Sequence, residues 1–341
     1  MRSTLSTLAL LVSAATVLSV PIEKRQQTAA ACSQLADMMP SKLFLPDTWT
    51  YANESGRVWS ETCLATPYCV FLPESAEDVS AGLGVMRNTN TQFAVRSAGH
   101  MPNPLSNNIN DGVLFAMSRL DGKILSDDRR IVRVGPGQRW MDVYEYTSGF
   151  GLGVAGGRYS PVGVGGLLTG GGISYFGSKV GWSFNTIQNM EVVLGDGRIV
   201  NVNATSNPDL FWAMKGGSSN YGIVTRFDLS TFAAIDIWGG TQVYSPDQVE
   251  PFLEATSEFI QPGGGHEDPS AAIIPTLFLD PTSKEVTATG IFFHAGDDAN
   301  PAAFANFTDD KASVSTLSMR NSFKNYTDET ATFAYGARTS R

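Results

Sequence analysis

The sequence predicts an α+β fold with more than one domain. Between Cys69 and Ser118 a strand, a helix and two further strands follow one another, which is typical of parallel strands joined through a helix. Farther along, two short strands flank Gly195-Asp196-Gly197, a strong hairpin signal. The 341 residues, 42% of them hydrophobic, are enough for two domains with substantial cores.

Each element has its own local signal. Ser75, followed by Asp78 three residues later, is typical of the start of a helix, which should run to about Arg87. A helix beginning at Trp140 should end in the glycines that follow it, and a helix over Ser206–Gly217 should have a polar cap and a glycine stop. Hydrophobic patterning predicts strands at Cys69–Pro73, Phe93–Ser97, Gly112–Ser118, Ile131–Gly137 and Tyr221–Phe232.

The composition changes near Ala233–Gly239, where the glycine-rich part of the chain gives way to an ordinary mixture of residues. A domain boundary is expected there. The chain is therefore divided into a signal peptide (1–20), a lead segment (21–62), a first domain (63–232) and a second domain (233–341).

The N-terminal sequence predicts secretion. Arg2 precedes an apolar run over Leu8–Val20 that is too short to span a membrane and contains small residues suited to signal-peptidase cleavage. Glycosylation sequons also fit a chain that passes through the endoplasmic reticulum, and they lie at Asn53, Asn203, Asn306 and Asn325. Two of the three cysteines can pair in that compartment: Cys32 with Cys69 or with Cys63, a choice that the sequence leaves open.

Charge and histidine content exclude several classes of partner. A formal net charge of −9 and an isoelectric point near 4.9 argue against nucleic acid or an anionic membrane. His266 and His294 have no accompanying ligand pattern, so no metal site is expected. A small-molecule partner remains, and the protein is expected to be a monomer.

A glycine run is the densest unusual feature. Six glycines lie between Gly163 and Gly172, although glycine inside regular structure costs about 0.5–1 kcal/mol relative to alanine. Neither the third glycine of a dinucleotide-binding loop nor the lysine of a P-loop is present. Consecutive amides without Cβ atoms can still hold a pyrophosphate, whereas a tightly packed turn would need the same glycines.

A second constellation follows the predicted strand that ends near Arg96. The loop there contains Ala98-Gly99-His100, at the carboxyl end of a parallel strand, where ligands of open α/β sheets collect. A third stretch brings Gly216, Gly217 and Gly222 to the start of an apolar strand. Small residues in all three pieces suit a flat ligand lying against the backbone.

Together these pieces resemble the FAD-linked oxidases of the vanillyl-alcohol oxidase (PCMH-type) superfamily, especially the secreted fungal members of the berberine-bridge-enzyme-like branch. The motifs are RSAGH at residues 96–100, VGVGGLLTGGG at 162–172 and FWAMKGGSSNYGIVT at 211–225. The resemblance covers about residues 63–232. It implies an FAD-binding domain of two α+β subdomains, followed by a partial substrate domain built on an antiparallel sheet.

The resemblance also implies the roles of site residues. His100 matches the histidine that is bonded covalently to the 8α carbon of FAD, a task that suits a neutral imidazole. FAD is expected to contact Arg96, Ser97, Ala98, Gly99, His100, Met101, Val162, Gly163, Gly165, Gly166, Gly170, Gly171, Gly172, Gly222, Ile223 and Val224.

The chain also departs from the family pattern. Tyr159 stands where some members have a second attachment residue, a cysteine, so a single attachment is expected. Ala98 replaces a glycine of the usual G-G-H. Members usually continue well beyond this length, and their catalytic base comes from the later part; Tyr326, Asp328 and Tyr335 are alternatives, and none is assigned.

Three functions are compared. The first is an FAD-dependent oxidase that passes hydride from a small organic substrate, such as a secondary metabolite, to flavin and electrons to O2. The second is a shortened or fragmentary paralogue that binds flavin without catalysis. The third, an NAD-dependent dehydrogenase, is disfavoured by the incomplete G-x-G-x-x-G pattern and the secretory context.

Overall fold

The computed structural model describes residues 23–307 and 311–335, so the signal peptide predicted at 1–20 lies outside the described residues. The chain mixes helices and sheets as the α+β class requires. No described helix is long and apolar enough to cross a membrane. The helices are α1 (residues 23–38), α2 (Trp49–Ser55), α3 (Ala76–Thr89), α4 (Trp140–Ser148), α5 (Val164–Gly170), α6 (Gly177–Val180), α7 (Pro208–Met214), α8 (Val249–Phe259) and α9 (Phe323–Tyr335).

The first sheet contains the predicted parallel unit. Its order is β1-β2-β4-β3, with β2, β4 and β3 parallel and β1 antiparallel at one edge. Helix α3 begins as predicted, since the Ser75 hydroxyl accepts a hydrogen bond from the Asp78 amide at 3.2 Å. The strands are β1 (Leu43–Phe44), β2 (Cys69–Phe71), β3 (Phe93–Arg96) and β4 (Val113–Ala116).

A disulfide joins the lead segment to this sheet. Cys32 of α1 is bonded to Cys69 of β2, 37 residues later, which settles the choice that the sequence left open. Cys63 is a free, buried thiol. The disulfide and the burial of Ala31 and Leu35 against the core of this sheet hold α1 to the first domain.

The second sheet is antiparallel, with the order β5-β6-β10-β8-β9, and the predicted hairpin is β8-β9. One prediction nearby is wrong in detail. Helix α7 has no polar side-chain cap, and the Asn207 amide group donates to the Asn201 carbonyl instead. The predicted glycine stop is present, because Gly216, with φ +96°, directly follows the C-cap residue Lys215. The strands are β5 (Lys123–Leu125), β6 (Ile131–Val134), β7 (Leu152–Gly153), β8 (Ile187–Val193), β9 (Ile199–Asn203), β10 (Ile223–Ser230) and β11 (Phe232–Ala233), with β7 paired to β11.

The third sheet follows the boundary region and is antiparallel, with the order β13-β14-β12-β15; β16 also pairs with β12. One of its faces is covered by α8 through an aromatic cluster that includes Phe252 and Phe304. The other face packs on the first domain, where Tyr175 stacks on Phe293 with ring centroids 4.8 Å apart. The strands are β12 (Ile237–Tyr244), β13 (Ala271–Leu279), β14 (Val286–Ala295), β15 (Val314–Ser315) and β16 (Ser318–Arg320).

Candidate functional site

Strand β3 ends in a buried arginine that is paired with the lead segment. The Arg96 guanidinium is inaccessible to water and donates to both the Glu54 carboxylate and the Glu54 carbonyl oxygen. Burial lowers the pKa of Arg96 to about 10, against the opposing effect of the Glu54 carboxylate. Arg57 and Ser118 also donate to the other carboxylate oxygen of Glu54, at 3.1 and 3.0 Å. This cluster fixes the point at which the chain leaves the sheet.

The next residues form a loop that touches the lead segment closely. Gly99 has φ +76°, and a Cβ atom there would lie 2.3 Å from the Arg57 carbonyl oxygen. The Gly99 carbonyl accepts a hydrogen bond from the Trp59 amide at 2.8 Å. Only glycine can satisfy both conditions, so the glycine of the RSAGH motif is required by the protein's own backbone.

His100 lies at the mouth of this loop, partly buried, beside an aromatic ring and a cation. The indole of Trp59 is 5.0 Å from the imidazole, centroid to centroid, at an interplanar angle of 41°. Burial, assisted by the positive charge of Arg139, lowers the pKa of His100 below its usual value. The imidazole is therefore neutral, and available as a nucleophile, over a wider pH range than in a free peptide.

The glycine run forms the other wall of the His100 loop. It begins with Gly163 and continues as the short helix α5. A Cβ atom at Gly163 would lie 2.6 Å from the Ala98 methyl group and 2.7 Å from Ser97 Oγ. Arg139 connects the two pieces further, because its guanidinium donates to the Pro161 carbonyl and, at 3.3 Å, to the Ala98 carbonyl. Two motifs separated by 60 residues are thus brought into contact.

Other glycines of the run leave space instead of filling it. Beyond Gly166 and Gly170 no atom lies within 4 Å of the position a Cβ would take. At the end of α5, Gly171 and Gly172 have φ of +124° and +83°, and their carbonyls accept hydrogen bonds from the segment that begins at Ser183. The glycine run therefore combines two properties: Gly163 allows a close approach between chain segments, and Gly166 and Gly170 leave open backbone.

The third motif is attached to the same helix but lies farther from His100. The Gly216 amide donates to the Thr169 carbonyl at 3.1 Å, next to the end of α5. Gly222 has φ +157°, and a Cβ there would lie 2.7 Å from a Val192 methyl group. Ile223 and Val224 are buried in β10. These residues pair with β8.

The remaining predicted residues divide between backbone and surface. Val162 contributes its carbonyl, which accepts from the Trp140 amide at 3.0 Å. Met101 is 51% exposed beside His100. The sequons at Asn53, Asn306 and Asn325 are exposed, whereas the Asn203 side chain is half-buried and donates to Asn189 at 2.9 Å.

The residues considered as catalytic bases are engaged elsewhere. Tyr326 is fully buried, its hydroxyl donates to the Phe292 carbonyl at 2.7 Å, and burial raises its pKa well above the usual value. Asp328 accepts a hydrogen bond from Lys324 at 3.0 Å. The side chain of Tyr335 lies outside the described residues. Tyr326 thus joins α9 to the third sheet.

Residues of the lead segment were missed by the sequence reasoning. Glu54, Arg57 and Trp59 hold the His100 loop, and Arg139 links it to the glycine run. A single sequence carries little signal for them. The one usable clue is Arg96 itself, because an arginine at the end of a buried strand requires a carboxylate partner somewhere in the chain.

Polar groups without partners mark where a ligand could lie. Gly99 is buried, and neither its amide nor that of Ala98 donates a hydrogen bond within residues 23–307 and 311–335. The Ser183 hydroxyl, beside Gly172, is buried without a partner in the same part of the chain. Together with the open backbone at Gly166 and Gly170, these donors fit a large, partly anionic ligand such as FAD. The described residues contain no group of metal-binding side chains.

Comparison with known proteins adds independent findings. A family model described as an FAD binding domain matches residues 67–203. An FAD-dependent monooxygenase of Penicillium roqueforti is 45% identical over 282 residues, which are 82% of this chain and 55% of that protein. The chain spans about half the length of the curated relatives it matches.

Two solved structures show the same fold. One is 6-hydroxy-D-nicotine oxidase of Arthrobacter nicotinovorans, with a TM-score of 0.75 and 19% identity over 88% of this chain and 64% of that one. The other is xylooligosaccharide oxidase of Myceliophthora thermophila, with a TM-score of 0.74 and 21% identity over 88% and 63% of the two chains. At this identity the likeness concerns the fold alone.

Proposed function

The chain belongs to the PCMH-type FAD-linked oxidoreductases, and from that premise we propose that it takes part in the oxidation of a small organic substrate, with O2 as the electron acceptor. The observation that carries the proposal is the contact between the His100 loop and the glycine run, around unpaired amides and open backbone. When bound, FAD supplies a two-electron acceptor. The protein would position the FAD and supply the electrostatic environment around it.

Residues of the His100 loop, the glycine run and β10 would position the cofactor. The amides of Ala98 and Gly99 and the open backbone at Gly166 and Gly170 would hold the cofactor. Gly222, Ile223 and Val224 would bound it on the side of β10. We expect the cation of Arg139, which lies between the two walls, to offset negative charge at this site.

We propose further that His100 is the point of covalent attachment. The imidazole would give up its N–H hydrogen, and the 8α methyl group one C–H hydrogen, as the bond between them forms. O2 would take up the two hydrogens and their two electrons as hydrogen peroxide. The lowered pKa of His100 supports this role because only the neutral ring has a nitrogen free to form the bond. Tyr159 occupies the position of a second attachment residue, so one bond is proposed.

We propose also that the protein is secreted, glycosylated and monomeric. The Cys32–Cys69 disulfide is of the kind that persists in an oxidising compartment. Exposed sequon residues at Asn53, Asn306 and Asn325 are accessible for modification. A covalent bond to the cofactor would suit a protein outside the cell, where lost FAD is not replaced.

The first experiment is acid denaturation on a gel, with flavin fluorescence read in the protein band. We expect fluorescence in the wild type, none in His100→Ala, and full fluorescence in His266→Ala, which removes an exposed histidine of a loop. A folded wild-type protein without bound or released FAD would contradict the proposal. It would favour the alternative of a flavin-site relative without catalysis.

A second candidate function is monooxygenation, which the name of the Penicillium roqueforti relative favours. The two reactions differ in the fate of O2. An oxidase yields one hydrogen peroxide for each substrate oxidised, whereas a monooxygenase places one oxygen atom in the product. Stoichiometric peroxide and no label from 18O2 in the product would support the oxidase; labelled product would replace it with the monooxygenase.

A further inference from the structure

The His100 loop is covered by one continuous stretch of chain, residues Glu54–Cys63, which we call the covering segment; all of it except Cys63 belongs to the lead segment. Its contacts follow the loop in order. Glu54 pairs with Arg96, and the Trp59 amide donates to Gly99. Beyond His100, the Thr62 hydroxyl donates to the Pro102 carbonyl at 2.8 Å. The covering segment therefore lies along this side of the His100 loop.

The last contact is made by the free thiol. Cys63 Sγ lies 3.1 Å from the carbonyl oxygen of Met101, the residue after His100, and 3.2 Å from that of Asn103. Asn108 strengthens the joint because its amide group donates to the carbonyls of Ser55 and Cys63, at 3.0 and 3.2 Å. These hydrogen bonds join the backbone of the covering segment to that of the loop.

The side chain of Trp59, in the covering segment, lies beside the His100 imidazole itself. Trp59 has its backbone fixed on Gly99 and its indole 5.0 Å from the His100 ring. The indole is 41% exposed, so it is not committed to the core. Because the Trp59 backbone is hydrogen-bonded to the loop, its indole stays beside the His100 imidazole. There it limits the orientations of the imidazole and shields it from water.

We propose that Trp59 is a positioning residue for the attachment of FAD: its indole orients the His100 imidazole and keeps it desolvated, so that bond formation depends on Trp59 while reversible FAD binding does not. The inference rests on the proposed covalent role of His100. It gives the lead segment a part in the flavin site, although none of the three motifs lies there.

The test compares three variants as apoproteins from riboflavin-limited expression, to which FAD is added. In Trp59→Leu we expect covalent attachment, followed as fluorescence of the acid-denatured band against time, to slow about fivefold, as the loss of one aromatic pair predicts. Trp59→Phe should restore most of the rate. Trp49→Leu alters a 78% exposed tryptophan of α2, which lies in the lead segment before the covering segment. This variant should attach FAD like the wild type.

Two further readouts separate positioning from a general effect on folding. FAD affinity before attachment, measured by flavin fluorescence, should change less than twofold in Trp59→Leu. The pH profile of the attachment rate should move to higher pH, because exposing His100 to water raises its pKa toward the ordinary value and leaves less neutral ring at a given pH. NMR titration of the three histidines, with His100→Ala for assignment, should show the same shift in the apoprotein.

The outcomes distinguish this inference from the proposed function. If the wild type never attaches FAD, the covalent role of His100 fails, and the inference fails with it. If the wild type attaches FAD and Trp59→Leu does so at the same rate and with the same pH profile, only the inference is overturned. Equal slowing in Trp49→Leu, or weakened reversible binding in Trp59→Leu, would also overturn it.

Discussion

The loop Arg96–Met101 and the edge strand β13 show two ways of holding backbone in place. Around the loop, an ion pair, backbone hydrogen bonds and a buried thiol connect almost every residue to the covering segment or to the glycine run. Strand β13 instead pairs on one side only and exposes Leu277, Phe278 and Leu279 by 48%, 56% and 62%. The loop is built for one geometry, whereas the strand tolerates many sequences.

The comparison predicts that small changes near the loop are costly while larger changes at the edge are tolerated. The ion pair at the start of the loop is shielded from water, since the side chains of Arg96 and Glu54 are 0% and 6% exposed. At the edge, water already covers most of the side-chain surface. Substitutions in the two regions should therefore differ widely in their effect on the free energy of unfolding.

Glu54→Gln should have the largest effect. It leaves the Arg96 cation buried without a carboxylate, which typically costs about 3–5 kcal/mol. Burial would then lower the pKa of Arg96 further, because the compensating charge is gone. Urea unfolding measures the loss. Asp196→Asn, which removes an exposed ion pair with Arg198, serves as the control and should leave the urea midpoint unchanged; equal losses in both variants would contradict the comparison.

Removal of the disulfide should come next. Cys32→Ser together with Cys69→Ser opens a connection across 37 residues, and the chain-entropy model predicts a loss of about 3–4 kcal/mol. The lead segment should detach from the first sheet, so limited proteolysis should cut it earlier than in the wild type. Cys63→Ser is the control, since its hydroxyl can still donate to the Met101 carbonyl; a large loss there and none in the double variant would reverse the expectation.

Gly99→Ala should cost about 2–3 kcal/mol and abolish covalent attachment. A methyl group at φ +76° is strained, and it would also displace the Arg57 carbonyl. Gly84→Ala is a matched control in α3, because nothing lies within 4 Å of its Cβ position and alanine favours a helix. Thermal unfolding and flavin fluorescence of the acid-denatured band check both variants. Attachment at the wild-type rate in Gly99→Ala would show that the loop adapts.

The sequence alone locates the His100 loop and the glycine run, but not the covering segment. His100 and the glycines from Gly163 to Gly172 could be identified because their chemistry is rare: a histidine after a parallel strand, and backbone without side chains. The structure brings these two pieces into contact, which no spacing rule specifies. Several strands between Cys69 and Phe232 also followed from alternation and turn signals, as in the hairpin β8-β9.

The covering segment could not be found in this way, for a physical reason. Glu54 and Trp59 are ordinary residues of a short helix and a loop, and their importance arises only from contacts 40 residues away in sequence. The predicted side-chain cap of α7 is also absent, and the Asn207 amide group donates instead to the Asn201 carbonyl, a partner that a helix-start pattern does not specify. Sequence signals report local chemistry, and this site is completed by long-range contacts.

Phe278→Thr should change the free energy of unfolding least, and it tests the edge strand directly. The side chain is 56% exposed on an edge strand, and threonine suits a strand, so the free energy of unfolding should change by less than about 0.5 kcal/mol. Light scattering should decrease in parallel, because an exposed apolar edge promotes association. A loss above about 1.5 kcal/mol would instead mean that Phe278 is covered in solution. The edge would then be a contact surface as specific as the loop, and the contrast between the two regions would disappear.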